Sequence, residues 1–235
     1  MFVHPHERTP VARLLQFLEH GERLAHDCAR AQAALAPDAG ARRFLLGQAR
    51  QEFYHAVVFQ GAIAWLGPRR LGVCPLLPPL ERYRGLLEQA LDRGNLAESL
   101  LAEQVILEGL GEAILARIEE GLAKRGAPFR RLRRILLSQE EAHHSFGRRM
   151  LDRAFAAGAV SPEDLQLRAQ EYLALTDAMV GTLADLFESI DENPLAYLSQ
   201  AKRNLPEWLA ASKPLPFSSQ PSAKHLVAPK LKPDS

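Results

Sequence analysis

Little in this chain of 235 residues points to a disulfide scaffold, a membrane or a nucleic-acid surface. It has two cysteines, Cys28 and Cys74, too few for a disulfide framework and not spaced as a metal knuckle, so a reducing cytoplasm is the expected compartment. Its 29 basic and 28 acidic residues leave a formal net charge of +1, and no general field favours nucleic acid or an anionic membrane. No apolar run reaches spanning length, because charges interrupt every hydrophobic stretch. A basic, apolar leader is also missing: Met1 to Pro10 is polar and carries His4 and His6. Neither strand alternation nor a fixed-period repeat is visible. What remains is 47% hydrophobic and 24% charged, a composition that can bury a real core.

Helix punctuation is plentiful. Thr9-Pro10 predicts an N-cap followed by a first helical residue, opening a helix from about Pro10 to Ala36 with Leu15, Leu18, Glu22, Ala25 and Ala29 on one face. Pro37-Asp38 ends it and caps a second helix, which runs to about Leu66 before Gly67-Pro68. Phe44, Ala49, Glu52, His55, Ala56 and Phe59 form its inward stripe. Gly67 to Pro79 reads as an irregular connection, longer than most. A third region starts near Leu80, breaks at Gly94-Asn95 and resumes to about Arg125, its second half carrying Leu101, Val105, Glu108, Ile114, Leu115 and Ile118. Past Gly126 a fourth helix spans about Phe129 to Ala156. Ser161-Pro162 starts a fifth, ended by Asn193-Pro194, and a short sixth follows from Leu195 to about Ala210. From Ser212 onward Pro, Ser and Lys dominate, which reads as a disordered basic tail. The expected architecture is all-α: an arm over 1–9, one helical domain over 10–211 with a four-helix core and one or two added C-terminal helices, and a tail over 212–235.

Two Glu-x-x-His pairs, Glu52/His55 and Glu140/His143, lie mid-helix on apolar faces. Positions i and i+3 share one face about a turn apart, so each pair can grip one side of a metal. Each follows a glutamate on the stripe of the preceding helix, Glu22 and Glu108. Either pair alone is as readily a helix-surface ion pair. The order Glu, Glu-x-x-His, Glu, Glu-x-x-His is what a ferritin-like di-metal carboxylate bundle requires. Four buried carboxylates would be very costly without partners, whereas two divalent cations balance them and two neutral imidazoles complete the shell. Oxygen and imidazole donors suit two iron ions, or one manganese and one iron, better than structural zinc. Some choices stay open. Glu103 lies near the stripe of Glu108, and Glu19 competes with Glu22. Glu141/His144 is an overlapping pair rotated about 100°; the stripe through Leu136, Glu140, His143 and Gly147 favours the earlier one. Gln104 and Gln139 are candidate hydrogen-bond partners of the ligands or plain solvated residues, and Cys28 reads as a small buried apolar residue.

The stretches Gly21-Glu22, Glu52-Phe53-Tyr54-His55, Ile106-Leu107-Glu108 and Glu140 through Gly147 resemble the metal-binding motifs of the cyanobacterial aldehyde-deformylating oxygenases. The spacing from Glu81-Arg82 through the Gly94 break to Glu108 is similar too. A tRNA-modifying di-iron hydroxylase and the ribonucleotide-reductase-like oxidases share the broader pattern. The resemblance covers roughly residues 12 to 155. It implies a ferritin-like bundle with Glu22, Glu52, His55, Glu108, Glu140 and His143 as ligands, Glu52 and Glu108 bridging. This chain departs from it at Gln139, where many relatives have Asp, and in its Pro-rich tail.

These features lead to an expected O₂-dependent di-iron oxygenase or oxidase, with O₂ as co-substrate, a small and largely apolar organic substrate, and electrons from an external electron-transfer protein. Ala25, Ala56, Phe59, Gln104 and Gly111 are the candidate pocket residues, the small ones leaving room between helices. For most of these, core packing is the plainer alternative. A ferritin-like ferroxidase or iron-binding protein is a second reading. A third is the tRNA-modifying hydroxylase, through the basic run Lys124-Arg125, Arg130-Arg131 and Arg133-Arg134. The near-neutral balance disfavours RNA, and the run could equally dock an acidic electron-transfer protein. Whether the chain forms a homodimer is left open.

Overall fold

A computed structural model of the chain describes residues 3–67, 71, 77–182, 187 and 193–210. Cys74, most of the Gly67 to Pro79 connection, the expected end of the fifth helix and the tail from Ser212 lie outside the described residues. Among the described residues regular structure is helical throughout.

Helix α1 (Arg8–Leu35) starts ahead of the expected Thr9-Pro10 cap. A proline in the first turn is tolerated there, since its missing N–H would have no intrahelical partner. Glu7 precedes the helix without capping it by side chain. Its carboxylate instead accepts from the His4 N–H and, at 2.9 and 3.1 Å, from the Arg125 guanidinium, which holds its carboxyl below the usual range. Helix α2 (Ala39–Leu66) begins on Asp38, whose side chain accepts the Ala41 N–H at 2.8 Å. It ends on Gly67 in the left-handed region, φ 56°, where a side chain would be strained.

Helix α3 (Leu77–Asp92) takes up Pro78 and Pro79, expected in the connection, within its first turn. Past the Gly94 turn, Asn95 caps a continuous rod by accepting the Glu98 N–H. The rod comprises α4 (Leu96–Leu100), a π-helical segment (Leu101–Leu107) and α5 (Glu108–Lys124). Helix α6 (Arg130–Ala156) follows, and α7 (Pro162–Gly181) is capped by Ser161, which accepts the Asp164 N–H. The expected sixth helix is two pieces, α8 (Pro194–Asn204) and α9 (Glu207–Ala210), parted at Leu205-Pro206 because a residue before proline leaves the helical region.

Helices α1, α2, the rod and α6 form the four-helix core, with α3 and α7 packed on the rod and α8 against α5. Leu24, Leu45, Leu101, Val105, Leu110 and Ile114 fill its centre. No periodicity announces the π segment. Its wider turn leaves backbone carbonyls less well served, and the buried Tyr83 hydroxyl donates to the Ala102 carbonyl there. Facing it on α6 is Gly147, where a Cβ would stand 2.4 Å from Gln104 Cβ. Gly147→Ala is therefore expected to destabilise by about 1–3 kcal/mol through overpacking, or roughly 2–4 °C in Tm for each kcal/mol. An unchanged melting curve would show that Gln104 yields instead.

Candidate metal centre

Four helices each bring acidic or imidazole side chains to one spot. Glu22, Glu52, His55 and Glu140 present donor atoms all within 4.8 Å of one another, and so do Glu52, Glu108, Glu140 and His143. All six residues singled out in the sequence thus converge, and all are buried. Glu52 and Glu140 belong to both groups, whereas the bridging pair implied by the resemblance was Glu52 and Glu108. The two halves are alike, since α1 and α2 supply Glu22 and Glu52/His55 as α5 and α6 supply Glu108 and Glu140/His143.

Both imidazoles turn Nδ1 inward. His55 Nδ1 lies 2.8 Å from Glu140 Oε1, 3.1 Å from Glu52 Oε2 and 3.3 Å from Glu22 Oε2. His143 Nδ1 lies 2.8 Å from Glu52 Oε1 and 3.8 Å from Glu108 Oε1. Their outer nitrogens bind glutamines crosswise: His55 Nε2 to Gln139 Oε1 at 2.8 Å, and His143 Nε2 to Gln51 Oε1 at 2.7 Å. A glutamine carbonyl only accepts, so each Nε2 carries a proton, and Nδ1 is the nitrogen that binds a metal once any proton on it is displaced. Gln139 was a candidate for this role; Gln51 was missed. The signal was present, since each glutamine immediately precedes the glutamate of its Glu-x-x-His pair.

Most of the other competing residues make contacts away from the two donor groups. Glu19 is buried but pairs with Arg23 and accepts from Gln60 Nε2 at 2.9 Å. Glu141 is exposed, and His144 Nδ1 sits 2.9 Å from Glu112 Oε2, away from both groups. His26 bonds the Ala49 carbonyl, and Cys28 is buried. Gln104 does not touch the centre directly. It pairs reciprocally with Gln32 at 3.1 and 2.6 Å and donates to Gln48 Oε1 at 3.3 Å. Gln48 Nε2 in turn reaches Glu103 Oε1 at 3.2 Å and Glu108 Oε1 at 3.0 Å. This chain of amides was not foreseen, because polar residues on an apolar stripe give no direction in sequence.

The donor set fits two cations. Both oxygens of Glu52, Oε1 of Glu140 and Nδ1 of His143 are buried without a hydrogen-bond partner. The short His143–Glu52 approach is out of line for a hydrogen bond, so the lone pairs face a common space. Burial, then the neighbouring Glu140 and Glu52 charges, pushes the Glu22 carboxyl well above its ordinary range, with His55 pulling against them. Glu108 is pushed up likewise, and Glu103 chiefly by burial. Glu52 goes the other way: burial opposes its charge, but His143 and His55 outweigh it and hold the carboxyl low. Burial works against a charged His55 too, yet contacts with Glu140, Glu22 and Glu52 raise its pKa far above the usual imidazole value.

A cavity of about 40 Å³ adjoins the donors, lined by Glu22, Glu108 and Glu140 with Phe17, Leu18, Gly21, Ala25, Leu107, Leu110 and Gly111. Of the candidate pocket residues, Ala25 and Gly111 line it. Ala56 and Phe59 are buried in the core, and Gln104 lies in the amide chain. A second, open cleft of about 570 Å³ lies at the start of α6, with Arg130, Arg131, Arg134, Ile135, Ser138 and Gln139 along it.

The fold is a ferritin-like helical bundle. It matches, with a TM-score of 0.74 and 23% identity, the solved structure described as protein 19 with aldehyde deformylating oxidase activity from Synechococcus; the match covers 89% of this chain and 92% of that one. No protein-family model matches the sequence, and no curated protein matches it. No helix among the described residues is long and apolar enough to cross a membrane.

The proton balance of the centre sets a pH dependence. In the metal-free protein, Glu22, Glu103 and Glu108 hold protons that an unfolded chain releases above about pH 4.3, and His55 holds one lost above about pH 6.5. The folded state then binds the excess protons, so stability falls as pH rises through neutrality, by about 1.4 kcal/mol per pH unit for each full proton. The depressed Glu52 acts in the opposite sense, but only below about pH 4.3. The Tm of metal-free protein is expected to be lower at pH 8 than at pH 6, and divalent metal reverses the trend because binding displaces protons. Thermal melts of chelator-treated protein that show equal stability at both values would contradict this balance.

Proposed function

We propose that this protein is an O₂-dependent di-iron oxygenase or oxidase acting on a small, largely apolar organic molecule, with an aldehyde as the first substrate class to test. The observation that carries the reading is the pair of buried donor groups sharing Glu52 and Glu140. On this reading Glu22, Glu52, His55, Glu108, Glu140 and His143 hold two iron ions, or one manganese and one iron. Bound metals of this kind supply O₂ binding and reduction. The chain's own residues supply the rest. Gln51 and Gln139 fix the rings of His143 and His55, so that each Nδ1 keeps its lone pair directed inward. Phe17, Leu18, Ala25 and Leu110 keep the adjoining cavity apolar, which admits a small diatomic and excludes bulk water. At about 40 Å³ the cavity holds little more than one water-sized molecule, so a longer substrate enters only as these side chains move. The aldehyde class is taken from the described activity of the structural neighbour, which shares the bundle and 23% of its residues.

Oxygen chemistry with organic substrates needs electrons from outside. The Arg130, Arg131 and Arg134 guanidiniums along the open cleft suit an acidic electron-transfer protein. Gln139, which lines that cleft, touches His55, one of the residues proposed to hold the metals.

Protein loaded anaerobically with ferrous iron is expected to bind about two ions per chain and to consume O₂, with aldehyde loss when a reductant is supplied. One zinc ion per chain with no oxygen reaction would defeat the proposal. His143→Ala is expected to lose iron and O₂ uptake. His144→Ala should keep most of its iron, because His144 turns toward Glu112 and Gly109. Iron analysis of both variants decides between the pairs: loss in the His144 variant alone would move the site to Glu141/His144.

A further inference from the structure

The π segment brings a fifth carboxylate beside Glu108. On an α-helix residues 103 and 108 point about 140° apart. Here the Glu108 N–H bonds the Glu103 carbonyl, an i→i+5 bond that stacks the two residues. One Gln48 amide donates to both carboxyls, to Glu103 Oε1 at 3.2 Å and to Glu108 Oε1 at 3.0 Å. Glu103 has 0% exposure, its Oε2 has no partner, and among the described residues no ion pair reaches it. Four carboxylates already balance two divalent ions. A fifth, wholly buried one either stays protonated or joins the metals.

We propose that Glu103 is a seventh protein ligand, closing through Oε2 onto the metal on the His143 side. This rests on the reading of the two donor groups as a di-metal centre. Glu103 adjoins Glu108, which belongs to the His143 group and not to the His55 group, so the extra oxygen serves one ion only. The His143 position then has five protein side chains, Glu52, Glu103, Glu108, Glu140 and His143, and the His55 position has four. An added anionic oxygen strengthens the hold on a hard divalent ion such as Mn²⁺ or Fe²⁺. The two positions are therefore unequal, and the His143 side fills first.

Titration of the metal-free full chain with Mn²⁺, read by calorimetry and by the EPR signal of free Mn²⁺, tests this without any turnover. The unsubstituted protein is expected to bind two ions with distinct affinities. In Glu103→Gln the tighter site should weaken roughly tenfold or more, since loss of even a ligand's hydrogen-bond partner costs about 10–100-fold, while the weaker site is unchanged. Glu103→Asp keeps the charge but falls one methylene short, and it should weaken the same site. If the Asp variant binds like the unsubstituted protein while the Gln variant does not, charge alone is at work and ligation is overturned. Two variants with unchanged affinities overturn it as well. Metal-free melting curves no lower than that of the unsubstituted chain exclude a folding defect as the cause, and Glu103→Gln, which removes a buried group that takes up a proton on folding, should melt at or above it near neutral pH. In a structure of the Mn²⁺-loaded protein, a Glu103 oxygen should stand roughly 2.0–2.6 Å from one ion; a separation beyond about 4 Å from both refutes the assignment. Fewer than two ions on the unsubstituted chain would instead defeat the di-metal reading itself.

Discussion

Crowded buried carboxylates are the constraint on which the rest of this bundle depends. Glu22, Glu52, Glu103, Glu108 and Glu140 are all buried within one short stretch of the core, faced by only two imidazoles. Isolated anions in such surroundings cost several kcal/mol each, so protons or cations must fill the deficit. In the metal-free chain the balance is carried by protons on the raised carboxyls and by a His55 that keeps its charge against burial. Such an arrangement is a poor way to stabilise a helical core. Apolar side chains would pack the same space at no electrostatic cost, which is why the cluster argues for function over stability.

The surroundings are built to avoid adding to that negative charge. Both inner histidines give their outer N–H to a glutamine carbonyl, from Gln51 and Gln139. A carboxylate in either place would orient the ring as well but would add another anion to the site. The same economy appears on the far side, where Gln48, Gln104 and Gln32 link the carboxylates to the π segment and to α1 through neutral amides. Aromatic packing closes the flank: Phe44 stacks on Phe146 at 4.0 Å between centroids and meets the edge of His143. Neutral donors, neutral acceptors and apolar walls thus leave the interior anions facing one another.

Much of this was legible in the sequence, for reasons that are local. A 3.6-residue stripe and an i, i+3 pair are fixed by helix geometry, so Glu52/His55 and Glu140/His143 could be placed together before any tertiary structure was known. Asp38, Ser161 and Gly67 marked helix ends through their own backbone chemistry. The choice between Glu140 and Glu108 as the shared carboxylate was not local. It depends on how far each helix leans toward the opposite half, which periodicity does not encode. Glu103 against Glu108 was posed as a choice because both lie near one inward stripe, although an α-helical wheel turns them about 140° apart. The π segment stacks the two, and one Gln48 amide donates to both carboxyls.

That segment also explains how the bundle tolerates an irregular helix in its middle. One extra residue per turn disturbs backbone hydrogen bonding and side-chain packing, and each disturbance has a specific answer nearby. Tyr83 supplies a hydroxyl to the Ala102 carbonyl and is itself held edge-on by Tyr172, at 5.0 Å between rings. Gly147 on α6 leaves the space that Gln104 occupies, and Gln104 in turn anchors Gln48 beneath both Glu103 and Glu108. Residues from α1, α2, α3, α6 and α7 therefore converge on seven residues of π-helix. An irregularity supported from so many elements is specified by the fold, and what it delivers is a carboxylate that an ordinary helix would turn away from the site.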